Sequence, residues 1–277
     1  MLPFKIDLTG KTIVITGGGG VLCSEFARAL AECGANIALL DIKLENAQAV
    51  AAQTGGLAVQ ADVLSRESLE NARDIIADKL GTCDILINGA GGNSPKCTTT
   101  EEYFTPGDLD KADGVTFFDF LPENLRFVFD INFTGAFLTT QVFAKDMINK
   151  KGACIINISS MNAFTPLTKI PAYSAAKSAV SNFTQWLAVH FSKVGLRVNA
   201  IAPGFFVSEQ NRALLFSADG TPTKRADKIL AATPMGRFGE PGELTGALLW
   251  LCSHEASSFV NGIIVPVDGG FSAYSGV

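Results

Sequence analysis

Tyr173 and Lys177 stand four residues apart in YSAAK, with Ser174, Ala175 and Ala176 between them. The intervening residues are small and suit a helix, on which positions i and i+4 share one face. A lysine ammonium beside a tyrosine favours phenolate over phenol, so the spacing predicts a Tyr173 pKa pulled down from about 10. A phenol tuned in this way gives and takes protons near neutral pH. The same spacing also fits a solvated helix face, and only the surrounding chain separates the two.

A second chemical cluster is TGGGGVLC, residues 16–23. Its glycines let the backbone approach a pyrophosphate, and a helix starting there adds N–H donors and the positive end of its dipole. A bare glycine run also makes a tight turn, but here an apolar strand precedes it and a helical pattern follows. Asp41 ends the next apolar run, a little over twenty residues after the glycines begin. A carboxylate there accepts both ribose hydroxyls and repels a 2′-phosphate, which favours NAD over NADP. Lys43 lies close by and keeps NADP open as the lesser alternative.

The elements that must position these groups alternate regularly. Strand patterns fall at 12–16, 36–41, 57–62, 83–89, 153–159, 196–204 and 262–270. Helical patterns fall at 24–34, 45–55, 68–81, near 122–149, at 173–195 and at 243–253. Strands apolar on both faces, each followed by a helix, predict an α/β fold with a doubly wound parallel sheet of Rossmann type, in three layers (α/β/α). No composition shift divides the 277 residues, which read as one domain. Two long connections break the rhythm, an insertion at about 92–122 and a segment at about 205–240. Both leave the carboxyl edge of the sheet, where ligands bind in such folds, so they are candidate walls and lids.

Composition narrows the function classes. The net charge of −5 comes without a basic patch, which argues against nucleic acid as a partner. No apolar run approaches the roughly 18 residues that span a bilayer, and MLPFKIDLTGK does not read as a secretory leader. Six scattered cysteines, without a CxxC pair, read as reduced thiols of a cytoplasmic protein. His190 and His254 are the only histidines and lie in no ligand-like cluster, so no metal site is expected.

Taken in order, these motifs resemble the short-chain dehydrogenase/reductase family over nearly the whole chain. TGGGGVLC resembles T-G-x-x-x-G-x-G, although the second and third glycines of that motif fall on Val21 and Cys23, and Gly20 takes the close-approach role one position early. Asp62-Val63 resembles the adenine-contacting pair. Asn88-Gly89-Ala90-Gly91 resembles N-N-A-G, with Gly89 in place of the second asparagine. Asn132 in DINFTG, Ser160 (with Ser159 as its rival) and Y-x-x-x-K at Tyr173 and Lys177 match the catalytic set. Pro203-Gly204 opens the P-G-x-x-x-T segment, with Ser208 at the threonine.

The resemblance implies hydride transfer between a nicotinamide and a carbonyl or secondary alcohol. Tyr173 would supply and recover the proton, Ser160 would hold the substrate oxygen, and Lys177 would bond the nicotinamide ribose and depress the tyrosine pKa. Asn132 would hold a water that links Lys177 to solvent. Cofactor contacts are implied at Gly17, Gly19, Gly20, Val21, Leu22, Asp41, Ile42, Asp62, Val63, Asn88, Gly89, Ala90, Tyr173, Lys177, Pro203, Gly204, Phe206 and Ser208. A homo-oligomer is implied too, a tetramer or a dimer, through the helices bearing Asn132 and Tyr173. On spacing, Phe183, Trp186, Leu187 and His190 pack into the core or a subunit face.

Within the family, the glycine loop, the long insertion and FDINFTGAFLTTQVFAKDM look like D-mannonate oxidoreductases, which interconvert D-mannonate and D-fructuronate. A substrate carboxylate needs a cation or N–H donors. Lys96, Arg212 and Arg225 are the cations available on the two connections, and Asn162, Phe205 and Phe206 are candidates to shape the pocket. The insertion is otherwise acidic, which suits an anionic substrate only if its carboxylates face away. The alternatives are another ketoreductase of the fold, acting on glucose, a deoxygluconate or a 3-oxoacyl thioester, and a catalytically silent nucleotide sensor.

Overall fold

The apolar runs assemble into one sheet. The computed structural model describes residues 6–207, 212 and 215–276. Within them, β1 (Thr12–Thr16), β2 (Asn36–Asp41), β3 (Leu57–Gln60), β4 (Ile85–Asn88), β5 (Cys154–Ile158), β6 (Arg197–Pro203) and β7 (Ile264–Val267) run in the order β3-β2-β1-β4-β5-β6-β7. Each neighbouring pair is parallel.

Side chains of one strand alternate between two cores, as the period of two requires. Ile13, Ile15, Ile37, Leu39, Ile85 and Ile87 enter the core with helix α1 (Val21–Glu32) and α2 (Leu44–Thr54). Val14, Ala38, Leu40 and Leu86 enter the opposite core with α3 (Arg66–Leu80), α5 (Gly135–Met147) and α6 (Pro171–His190). Cys23, Phe26, Ala27 and Leu30 follow helical spacing along α1 and are buried. This is the expected three-layer arrangement. Among the described residues no helix is long and apolar enough to cross a membrane.

Between α3 and α5 the chain forms α4 (Pro122–Phe129) and then a π-helical turn, Asp130–Thr134, which continues into α5. The sequence pattern predicts one helix there. The wider turn rotates Asn132 inward, where only 1% of it is exposed. The connection at 205–240 contains α7 (Lys224–Ala231), capped by Thr223 and absent from the sequence reading. Beyond it lie α8 (Thr245–Cys252) and the short α9 (His254–Ser257).

A buried polar seam ties the site-bearing helices to the sheet. Asn88 and Asn157 face each other in register on β4 and β5. Asn88 Nδ2 donates to Asn157 Oδ1 at 2.8 Å and to Thr140 Oγ1 on α5 at 3.0 Å. Asn157 Nδ2 donates to Thr184 Oγ1 on α6 at 2.9 Å. Replacing Asn157 by alanine strands buried donors and acceptors on both sides. Asn157→Ala is expected to lose about 1–3 kcal/mol of stability in urea unfolding; an unchanged midpoint would show that the seam holds nothing.

Candidate active site

The strand ends open into a cleft of about 710 Å³, lined by the connections that follow β1 to β6 and by α6. Parallel strands all present their carboxyl ends to this edge, so residues far apart in sequence meet there.

At one end the β1–α1 turn exposes its backbone. Gly17 adopts φ +63°, and a Cβ there would lie 2.9 Å from the Ala90 Cα. A Cβ on Gly19 would lie 2.4 Å from the Cβ of Asn46. Gly20 is the N-cap of α1 without a side-chain cap, and Val21 and Leu22 of its first turn line the cleft. Side chains are excluded from this turn on two sides; the N–H groups of Gly18, Gly19 and Gly20 are bonded within the protein, so the donors turned to an anion are those of the first turn of α1. The Asp41 carboxylate sits on the lip, accepting from Gly19 N at 3.1 Å and from Lys43 N at 3.0 Å. Ile42, Asp62 and Val63 line the adjoining wall, as do Gly89, Ala90, Pro203, Gly204 and Phe206. These residues fit an extended dinucleotide.

Asn88 does not join them. Its side chain is spent on the buried seam behind the cleft, because β4 turns it toward α5 and β5. Ser208 lies outside the described residues.

At the other end α6 begins with Pro171 and carries Tyr173 and Lys177 on one face. The Lys177 ammonium lies 5.6 Å from the centre of the Tyr173 ring and donates to the Ile158 carbonyl at 2.8 Å. Beneath Tyr173 pack Cys97, Val128 and Ala172. Ser160 hydrogen-bonds with Tyr173. Ser159, its rival by sequence, is turned into α6, with its Oγ 2.7 Å from Ser181 Oγ and donating to the Lys177 carbonyl. Of the two serines, Ser160 is the one placed against Tyr173.

Burial corrects one expectation. Tyr173 is not pulled below its ordinary pKa here; burial pushes it up, and the Ser160 hydrogen bond opposes that only in part. The same burial pulls Lys177 down to about 8. Loss of water penalises the charged form of each group. Asn132 also has a more direct task than the implied one. Its Nδ2 donates to the carbonyls of Gly92 at 2.6 Å and Val128 at 2.8 Å, and its Oδ1 accepts from Gly92 N at 3.2 Å. It pins the chain leaving β4 beside Lys177, where a Cβ on Gly91 would meet both side chains.

None of the three cations expected for a substrate carboxylate lines the cleft. Lys96 and Arg225 are exposed. Arg212 is exposed, with its guanidinium 5.4 Å from the centre of the Phe216 ring. A long cationic side chain on a surface turn keeps its hydration by pointing outward. Among the described residues the lysines lining the cleft are Lys43 and Lys177. Phe205 does line it, edge-on to Phe271 at 5.3 Å. Asn162 is buried next to Ser160, donating its N–H to Ser160 Oγ at 3.2 Å, and its Oδ1 has no hydrogen-bond partner among the described residues. Sequence reasoning missed Phe127 and Ile131, which line the cleft from α4 and the π-helical turn. An interruption of helical periodicity near Asp130 was the available signal.

Four of the six acids of the insertion are capped or paired, and the other two, Asp110 and Asp113, are exposed. Asp108 and Asp119 each accept from a threonine N–H at the start of a 3₁₀ turn, and Lys111 pairs with Asp108 and Glu101. Glu102 pairs with Lys228 of α7 at 2.9 Å, which joins the two walls.

Comparison with known proteins agrees with this arrangement. A family model described as enoyl-(acyl carrier protein) reductase matches residues 22–272. An uncharacterised oxidoreductase of Haemophilus influenzae is 62% identical, over 98% of this chain and 96% of the relative. The uncharacterised oxidoreductase UxuB of Bacillus subtilis is 53% identical over the full length of both. Among solved structures, a proposed D-mannonate oxidoreductase from Haemophilus influenzae, with bound NAD, superposes with a TM-score of 0.93 at 61% identity, covering 98% of each chain.

The buried ammonium gives a pH test. Its folded pKa of about 8 lies below the ordinary 10.5, so the unfolded chain holds more protons between those values. The cost of burying the charge is full below pH 8 and vanishes as pH rises to 10.5. Wild type should therefore gain about 3 kcal/mol relative to Lys177→Met across that window, measured by urea unfolding. A stability difference that stays flat with pH would contradict the burial.

Proposed function

Since the chain belongs to the short-chain dehydrogenase/reductase family, we propose that it is an NAD-dependent oxidoreductase that moves hydride between nicotinamide and a sugar acid, interconverting D-mannonate and D-fructuronate. The observation that carries the oxidoreductase reading is one cleft holding both the side-chain-free turn with Asp41 and the Tyr173, Lys177 and Ser160 group. The bound cofactor supplies or accepts the hydride. The protein does the rest. The turn and the first N–H groups of α1 hold the pyrophosphate, and Asp41 takes the ribose hydroxyls and disfavours a 2′-phosphate.

In reduction, Ser160 donates a hydrogen bond to the carbonyl oxygen while Tyr173 gives its proton to the oxygen as the alkoxide forms. In oxidation the proton returns to Tyr173. Lys177, held by Ile158, bonds the nicotinamide ribose. Its charge and that of the oxidised ring favour the phenolate, against the burial that holds Tyr173 neutral.

The sugar-acid substrate rests on the long insertion and on the 61% identity to the proposed D-mannonate oxidoreductase. None of the six acids of the insertion lines the cleft, and four of them are capped or paired, so they offer little opposition to an anion entering it. A cation from Lys96, Arg212 or Arg225 would reach the substrate carboxylate only if the walls close. The family model's description favours a second reading, reduction of an acyl thioester.

The same proposal places the enzyme in the cytoplasm, in keeping with its six free cysteines, and makes it a homo-oligomer, a tetramer or dimer. Phe183, Trp186 and His190 stack along α6, with Trp186 56% exposed, which suits a subunit face. Light scattering should give a tetramer or dimer; a monomer would remove that part.

The activity test follows NADH absorbance with fructuronate, other keto-sugar acids and acetoacetyl thioesters. Fructuronate is expected to be reduced, and Tyr173→Phe to cut turnover by about 10²–10⁴-fold while NADH still binds. Turnover of the thioester without the uronate would overturn the substrate. Near-normal turnover by Tyr173→Phe would overturn the mechanism, and NADH binding without any turnover would favour a sensor.

A further inference from the structure

Cys23 and Gly89 touch in the cleft wall, and each stands where the sequence departs from the motif it resembles. A Cβ on Gly89 would lie 2.2 Å from Cys23 Sγ and 2.9 Å from the Thr16 carbonyl oxygen. The Cys23 side chain therefore occupies the space into which any larger residue at 89 would grow. It is 4% exposed, and its Sγ donates to that same Thr16 carbonyl at 3.6 Å.

The contact joins two cofactor-facing loops. Cys23 sits in the first turn of α1, directly after the glycine turn. Gly89 is the first residue beyond β4. Thr16 Oγ1 accepts from Gly89 N at 3.1 Å and from Ala90 N at 3.2 Å, and Gly17 closes on Ala90 from the other side. Backbone thus packs on backbone across the gap, and the thiol is the side chain that fills it. Where the motifs have glycine and asparagine, this chain has cysteine and glycine. The bulk has moved from the β4 exit to the helix.

We propose that Cys23 is a positioning residue for the dinucleotide site, its side chain setting the separation between the pyrophosphate turn and the β4 exit, with Gly89 as its obligate partner. This rests on the NAD reading above. Cys23 acts by shape. Burial pushes its thiol up to about 12, so it is a neutral filler and not a nucleophile.

A methyl group at 89 must displace the thiol or the Thr16 carbonyl. The thiol can rotate, but the carbonyl moves only with the turn. The test compares wild type, Gly89→Ala, Cys23→Gly and the double variant by NADH fluorescence titration, by KM for NADH against kcat, and by thermal unfolding. Gly89→Ala is expected to weaken NADH binding about tenfold or more, since loop misplacement of about an ångström has effects of that size, and to raise KM for NADH more than it lowers kcat. Adding Cys23→Gly removes the thiol contact and leaves the Thr16 carbonyl contact, so it is expected to recover part of the lost affinity, a coupling that independent sites do not show.

If Gly89→Ala fails to fold, a double variant that folds and binds NADH supports the proposal, and one that does not overturns it. Additive losses, or Gly89→Ala binding NADH like wild type, also overturn it while leaving the cofactor reading intact. Failure of wild type to bind NADH would sink both.

Discussion

An ammonium group held almost out of water governs this site. Lys177 is 4% exposed, beside a phenol that is itself packed on Cys97, Val128 and Ala172. A charge in such a place is costly, and the fold offers the Ile158 carbonyl to receive it. That carbonyl is fixed because β5 lies between β4 and β6, and α6 is fixed because Thr184 is bonded to Asn157. The polar seam, the pinned loop at Gly92 and the inward turn at Asn132 all serve to hold these groups together. Burial also sets the resting electrostatics. It drives both partners toward their neutral forms, and a further positive charge in the cleft would oppose that shift at the tyrosine.

Much of this was legible in the chain. The seven strands follow from short apolar runs that suit burial on both faces, and the helices from glycine stops and spacing. Tyr173, Lys177, Asp41 and the glycine turn were readable because each has a chemistry that depends on type and spacing. What could not be read depends on side-chain direction. Asn88 follows the motif, yet its amide nitrogen is consumed by Thr140 and Asn157 behind the cleft. Ser160 matched the motif with Ser159 as its neighbour, and only the direction of the Ser159 hydroxyl, toward Ser181 and the Lys177 carbonyl, separates them. The sign of the Tyr173 shift was misread because spacing reports the neighbouring charge and not the depth of burial.

The two long connections show the same limit. Their acids raised an apparent conflict with an anionic substrate. In three dimensions Asp108 and Asp119 cap short turns, and Glu101 and Glu102 pair with lysines. Local capping is the ordinary use of an aspartate at such turns. The Glu102–Lys228 pair joins walls 126 residues apart in sequence. An exposed pair of this kind contributes little to stability, so it can open without threatening the fold.

The resting state of Tyr173 is the most direct check. A ring-carbon NMR titration of Tyr173 reads it. The account predicts that Tyr173 titrates above the ordinary tyrosine value of about 10 in the free protein and moves downward when NAD⁺ is added. A Tyr173 that titrates at or below that value in the free protein, or that is unmoved by NAD⁺, would contradict it.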